Sequence, residues 1–337
     1  YFRGNAKLLA EDGYFTDFIS NGVSTELCFV AFCAFTLIII FAGVQNGIER
    51  VSKIMMPILI VLSVIIAVYS VTRPGALAGV KYFLVPNVKN FSWMTVVSAM
   101  GQMFYSLSIA MGILITFGSY MKKDTAIEDS TRNVEIFDTG IAIMAGLMII
   151  PAVFAFSGGD PDTLQAGPSL MFITIPKVFQ NMGFGTVIGI VFFLLVLFAA
   201  VTSSIALTES AVSTFEDELG WGRKKATVLV GVIMLALGSL SSLGYGPLAG
   251  IKIIGMQFLD LFDFLTNSVM MPIAALLTSL FVSRVVGIDK IEAEIIHGES
   301  TFRRKKVFVV MIKYLCPVFA IIILLSSVAN ALGWIKM

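Results

Sequence analysis

The chain has 337 residues, of which 57% are hydrophobic and 13% charged, with a net charge of +1; its mean hydropathy is +0.92. A soluble domain carries about 25% charged residues, so the composition is that of a polytopic membrane protein lying in a lipid bilayer. Near-neutral charge implies no nucleic-acid partner. Cys28, Cys33 and Cys316 all fall in apolar runs, which argues against a disulfide or metal framework, and His297, the sole histidine, falls in a charged loop.

Residues 1–26 are mixed and read as an extramembrane connector. Leu27–Val44 is the first apolar span, Gln45–Lys53 a short polar loop, and Ile54–Val71 the second span, with Pro57 in its first turn, where a missing N–H does little harm. Arg73–Ser92 holds Pro74, Gly75 and Pro86 and reads as a loop. The third span runs from about Trp93 to Tyr120, and Lys122–Asn133 is a charged loop. A fourth span covers about Val134–Phe156, and its helix is expected to start earlier, within that loop. Ser157–Met182 is expected to be a lid-like loop with short helices. The fifth span, about Gly183–Phe215, is long enough to tilt or project. Glu216–Lys225 is charged, Ala226–Leu240 is the sixth span, and Ser241–Gly255 is rich in Gly and Ser. The seventh span is about Met256–Val286, and Val307–Leu332 is the eighth, after a charged loop at 287–306.

Basic residues set the expected orientation. Thirteen Lys and Arg lie in the loops at 45–53, 122–133, 216–225 and 287–306, against seven in the alternate set. The richer loops are placed in the cytoplasm. Both ends of the chain then lie outside. Tyr1 rather than Met opens the sequence, without a signal-peptide pattern. The expectation is an odd number of further spans upstream.

The middle of the third span, Gly101-Gln-Met-Phe-Tyr-Ser-Leu-Ser-Ile-Ala-Met-Gly112, is poor in Leu and Val. Ser106, Ser108, Ala110 and Gly112 alternate through it. Such residues lower helix propensity and offer the backbone other partners, so the helix is expected to break near Ser108–Ala110. Non-helical backbone at that depth survives only inside protein or beside a wet cavity, which makes a break a candidate binding site. Close helix packing through small residues is the competing reading. Ionisable residues inside spans are functional candidates by default. Asp138, Glu209, Asp260 and Asp263 qualify; the alternatives are snorkelling for Asp138 and a wet vestibule wall for the pair at 260 and 263. Thr202 and Ser203 place two hydroxyls on the fifth span. They either bond back one turn or help to hold a desolvated sodium ion, a hard cation that takes oxygen ligands.

Four strings together resemble the neurotransmitter:sodium symporter family, particularly its bacterial amino-acid transporters. They are Asn46-Gly-Ile-Glu-Arg-Val-Ser-Lys-Ile-Met-Met-Pro57; Gly101 to Ser108 continuing to Ser119-Tyr120; Thr202-Ser-Ser-Ile-Ala206 with Glu216-Asp-Glu-Leu219; and Asp263-Phe264. Their order and spacing match over nearly the whole chain. The resemblance implies an all-α, inverted-repeat transporter fold with a discontinuous helix, a design known for this class at the bilayer midplane. The eight spans correspond to family helices four to eleven, without the first three. Residues 27–71 are then the end of the first repeat, 93–286 the second, and 307–332 an additional helix. Sodium is the implied coupling ion, with two sites, and an amino acid the implied substrate. A homodimer is the implied assembly and the bacterial inner membrane the location.

By position, the resemblance implies substrate contacts at Tyr105, Ser106, Ser108, Met111 and Leu207, with Tyr105 the aromatic lid and Met111 and Leu207 lining the side-chain pocket. These leave room for a medium or large apolar or aromatic amino acid. It implies one sodium site at Ala199 (through its carbonyl), Thr202 and Ser203. The other comprises Ser106, Asp138 and the substrate carboxylate. Asp263 is implied as the outer gate, and Asp217 with Tyr120 as the inner. The chain departs from the family in two places: Asp138 stands where many relatives have Asn, and Ala142 where chloride-dependent relatives have Ser. A carboxylate at 138 supplies the charge that chloride otherwise gives, so chloride independence is expected.

Two other classes stay in view. An intramembrane aspartyl protease would use Asp138 and Asp263 sharing a proton. A channel or non-transporting subunit would need neither ion coupling nor alternating access. The sequence contains no HExxH or GxSxG string for a zinc or serine hydrolase.

Overall fold

The computed structural model describes residues 6–11, 13–160, 167–181, 183–298, 301–332 and 334. Among the described residues, seven helices are long and apolar enough to cross a membrane: α2 (Gly22–Phe41), α3 (Val44–Val71), α7 (Ile127–Ser157), α9 (Gly185–Leu219), α10 (Arg223–Leu243), α11 (Phe258–Val286) and α13 (Lys305–Ala331). The chain is a multi-pass membrane protein. The remaining expected span is present in two pieces, α5 (Trp93–Ser106) and α6 (Ile113–Ser119). Shorter helices fill the connectors: α1 (Tyr14–Ser20), α4 (Ala76–Leu84), α8 (Leu170–Gln180) and α12 (Ile288–Gly298). The expected lid at 157–182 is thus helical from Leu170, and its residues 161–166 and 182 lie outside the described set.

One expected loop is helix. Gln45–Lys53 follows a turn at Gly43 (φ 87°) and winds as a π turn, Val44–Glu49, directly into Arg50–Val71. Its polar side chains do not break it: Lys53 and Glu49 form a one-turn ion pair at 2.6 Å. Pro57 therefore lies inside a helix rather than in its first turn. Proline also explains three other wide turns. The π turns at Leu170–Thr174, Phe264–Met270 and Met311–Leu315 precede Pro176, Pro272 and Pro317. Each contains the residue four before its proline, where the ring would strike the carbonyl of a tight helix.

The helices sort into two compact units. The first comprises Tyr1–Val88, Thr139–Thr208 and Phe215–Ile251. Its core joins α3, α7, α8 and α9 through Ile66, Ala152, Val153, Ile175, Val178, Phe179 and Phe192, all buried. In lipid the hydrophobic effect does not drive helices together, so close fit must. Glycine supplies that fit where α2 packs on α10: a Cβ on Gly238 would lie 2.1 Å from the Phe29 ring. Polar ties add direction. Thr36 and Ser204 hydroxyls meet at 3.1 Å, Ser70 Oγ donates to Met148 O at 2.7 Å, and Arg223 Nε donates to Ile40 O at 2.9 Å, near the end of α2.

The second unit comprises Lys89–Asp138, Glu209–Thr214 and Lys252–Met337. Within it α11 packs along α13, and α13 also meets α5. A polar clamp joins the start of α7 to the start of α13. The Glu128 carboxylate accepts the backbone N–H groups of Arg303 and Arg304 at 2.9 and 3.0 Å, and Arg304 reaches Glu135 at 2.8 Å.

Candidate functional site

The site grows from the interruption between α5 and α6. Ser92 and Thr95 cap the start of α5 reciprocally. Its end closes with bonds from Leu107 N–H to Met103 O, Ser108 N–H to Tyr105 O and Ile109 N–H to Phe104 O, each 3.0 Å. Then the chain unwinds. Ser108, Ala110 and Gly112 adopt φ of 54°, 63° and 80°. For Ser108 and Ala110 this left-handed geometry costs roughly 1–2 kcal/mol each. Among the described residues, the amides of Ala110, Gly112 and Ile113 have no backbone acceptor, and the carbonyls of Ser106 and Leu107 receive no backbone N–H. The expected break near Ser108–Ala110 is present, and it leaves main-chain donors and acceptors open.

A carboxylate stands beside the open carbonyls. Ser106 Oγ, on the last residue of α5, donates to Asp138 Oδ1 at 2.6 Å. Asp138 comes from α7, well inside a 31-residue helix. Hydroxyl, carboxylate and nearby free carbonyls are hard oxygen ligands with one negative charge, a set suited to a small alkali cation. Among the described residues no three His, Cys, Asp or Glu side chains gather, so a transition-metal centre has no donor set. Tyr105, one residue earlier, is 54% exposed.

The middle of α9 backs the unwound stretch. Ser210 Oγ lies 3.5 Å from Met111 O and 3.4 Å from Thr116 Oγ1. A Cβ on Gly112 would meet Ser210 Oγ at 2.5 Å. Position 112 therefore needs glycine twice, for its φ and for this close approach. One turn beyond α6's centre, Tyr120 OH donates to Glu209 Oε1 at 2.7 Å, and Glu209 is fully buried. Glu209 stood out in the sequence only as an intramembrane acid, and Ser210 was missed. Its signal is a seven-residue step from Ser203, which returns a helix to the same face.

In the first unit, Thr202 sits on unbroken helix. Its hydroxyl donates back to Phe198 O and Ala199 O, both at 3.0 Å. Thr202 Oγ1 and the Ala199 carbonyl are thus side by side, while Ser203 is exposed. Leu207, one turn on, is 50% exposed. Asp217 is exposed near the end of α9. In the second unit Asp263, just before the π turn of α11, accepts from Asn267 Nδ2 at 2.5 Å. Asp138 and Asp263 thus have separate partners, Ser106 and Asn267, and among the described residues no hydrogen bond joins them.

Comparison with known proteins agrees with the architecture. The profile described as the sodium:neurotransmitter symporter family matches residues 15–334. An uncharacterized sodium-dependent transporter of Bacillus subtilis is 34% identical over 315 residues, 93% of this chain and 69% of that protein. Another, of Haemophilus influenzae, is 32% identical over 292 residues, 86% of this chain and 62% of its own length. This chain therefore spans about two thirds of these relatives. The crystal structure of MhsT in complex with L-phenylalanine superposes with a TM-score of 0.82 at 33% identity, covering 96% of this chain and 74% of that one. The relatives are transporters rather than enzymes, which removes the protease alternative. The chain belongs to the sodium:neurotransmitter symporter family.

Proposed function

We propose that this chain is part of a sodium-coupled amino-acid symporter working by alternating access, in which inward sodium flow drives substrate uptake. The observation that carries this is the Ser106–Asp138 contact at the end of a helix interrupted inside a membrane span. There the oxygens strip water from a cation without a full cage of charges, so the ion can leave again. In this reading one sodium ion binds at Ser106 and Asp138 and shares the substrate carboxylate. A second binds at the Ala199 carbonyl, Thr202 and Ser203. Ser108 and Met111 contact the substrate from the unwound stretch, with Tyr105 and Leu207 completing its pocket. Asp263 serves the outer gate, and Tyr120 with Asp217 the inner one.

MhsT was crystallised with L-phenylalanine. That supports an amino-acid substrate here, and the mix of Tyr105, Met111 and Leu207 favours an apolar or aromatic side chain. Asp138, negative where many relatives are neutral, supports chloride independence. The test is uptake of labelled phenylalanine and leucine by cells producing the protein, in sodium and in choline, and in chloride and in gluconate. Uptake that requires sodium and ignores chloride is expected. Sodium-independent uptake would reject the coupling, and a chloride requirement would reject the role given to Asp138.

A further inference from the structure

A second acidic oxygen cluster lies in the seam between α2 and α10, within the first unit, and uses none of the residues given a role above. Glu26 Oε1 accepts a hydrogen bond from Ser239 Oγ at 2.5 Å. Its other oxygen, Oε2, is buried and has no hydrogen-bond partner, and the same is true of Ser242 Oγ. The two helices run antiparallel here. A Cβ on Gly22 would touch Leu243 at 3.3 Å, Glu26 bonds to Ser239, and the Phe29 ring lies against Gly238. Ser242 falls inside this register, one turn beyond Ser239 on the same face of α10.

Two orphaned buried polar atoms in one seam each need a partner, and their register lets one serve both. A carboxyl group between apolar helices also needs a counter-charge. Among the described residues no Lys, Arg or His forms an ion pair with Glu26. A water molecule could bridge Oε2 and Ser242 Oγ, but it would leave the charge in place. We propose that Glu26, Ser239 and Ser242 form a binding site for a small monovalent cation, sodium, in the α2–α10 seam, separate from the two positions assigned above. One ion there satisfies both orphaned oxygens and neutralises the carboxylate. By tying α2 to α10 it makes the packing of this pair sodium-sensitive.

The test uses the purified protein in lipid nanodiscs, in sodium or in choline at equal ionic strength. Thermal unfolding is followed for wild type, T202V, E26Q and S242A. Sodium should raise Tm in wild type. Part of that rise should survive in T202V, be lost in E26Q, and be reduced in S242A. Infrared difference spectra between sodium and choline should contain a perturbed carboxylate band that is missing in E26Q, a readout that holds even where a variant unfolds early. The site is overturned if E26Q keeps the whole sodium shift. It is equally overturned if the Glu26 band is that of a protonated carboxyl group in sodium, meaning a proton fills the seam instead. Failure of T202V alone to change the sodium response would count against the proposed transport site and leave this one standing.

Discussion

The stretch around Ser108 and the turn around Thr202 solve one problem in opposite ways. In the proposed reading both offer oxygen atoms within membrane helices. At 107–112 the helix gives up its own bonds, so carbonyls and amides are released and two non-glycine residues take left-handed geometry. At Thr202 the ladder stays closed and a side-chain hydroxyl rests on Phe198 O and Ala199 O. The first arrangement is strained and needs support from neighbours; the second is unstrained and local. Change near the break should therefore damage fold and binding together, whereas change at Thr202 should damage binding alone.

The largest effect is expected at Gly112. G112V places a branched side chain at φ 80° and drives its Cβ toward Ser210 Oγ. A loss of about 3 kcal/mol or more is predicted, with sodium-driven uptake abolished. Thermal unfolding and uptake check it, and a G112V protein with wild-type Tm would contradict the strain argument. D138N comes next. It preserves the bond from Ser106 but removes the charge, so the sodium concentration for half-maximal uptake should rise by about tenfold. If chloride then stimulates uptake, the carboxylate has been doing chloride's work; unchanged sodium and chloride dependence would remove it from the site.

T202V should also weaken sodium activation, by several-fold, with Tm changed by only a few degrees, since the lost bonds are made within one helical turn. T202S should restore the wild-type response. A T202V protein that unfolds as readily as G112V would erase the distinction drawn here. The smallest effect is expected for S210A. It loses two long contacts, at 3.4 and 3.5 Å, so stability should move by less than about 1 kcal/mol.

Much of this was legible before any coordinates. Alternating small and hydroxyl residues from Ser106 to Gly112 announce weak helix, and the break falls there because nothing in that stretch favours the wound form. Asp138 was visible as a charge in an apolar run. The contact between Ser106 and Asp138 was not, since they lie 32 residues apart and only the packing of α5 and α7 joins them. Family resemblance, not spacing, named them together. Polarity misled at Gln45–Lys53, where exposed polar residues with a one-turn ion pair form helix as readily as loop. Ser210 went unseen because its one signal, a seven-residue step from Ser203, says only that the two share a helix face; that the unwound stretch at Gly112 comes against it is set by packing. Glu26 was lost for a similar reason: it reads as the polar edge of a connector, and only the register of α2 on α10 buries it.

The most direct test is equilibrium binding of radioactive sodium to the purified protein in nanodiscs, comparing wild type with D138A, T202V and the double variant. The account predicts that each single variant binds one ion fewer than wild type and the double variant two fewer. Wild-type stoichiometry in both single variants would contradict it.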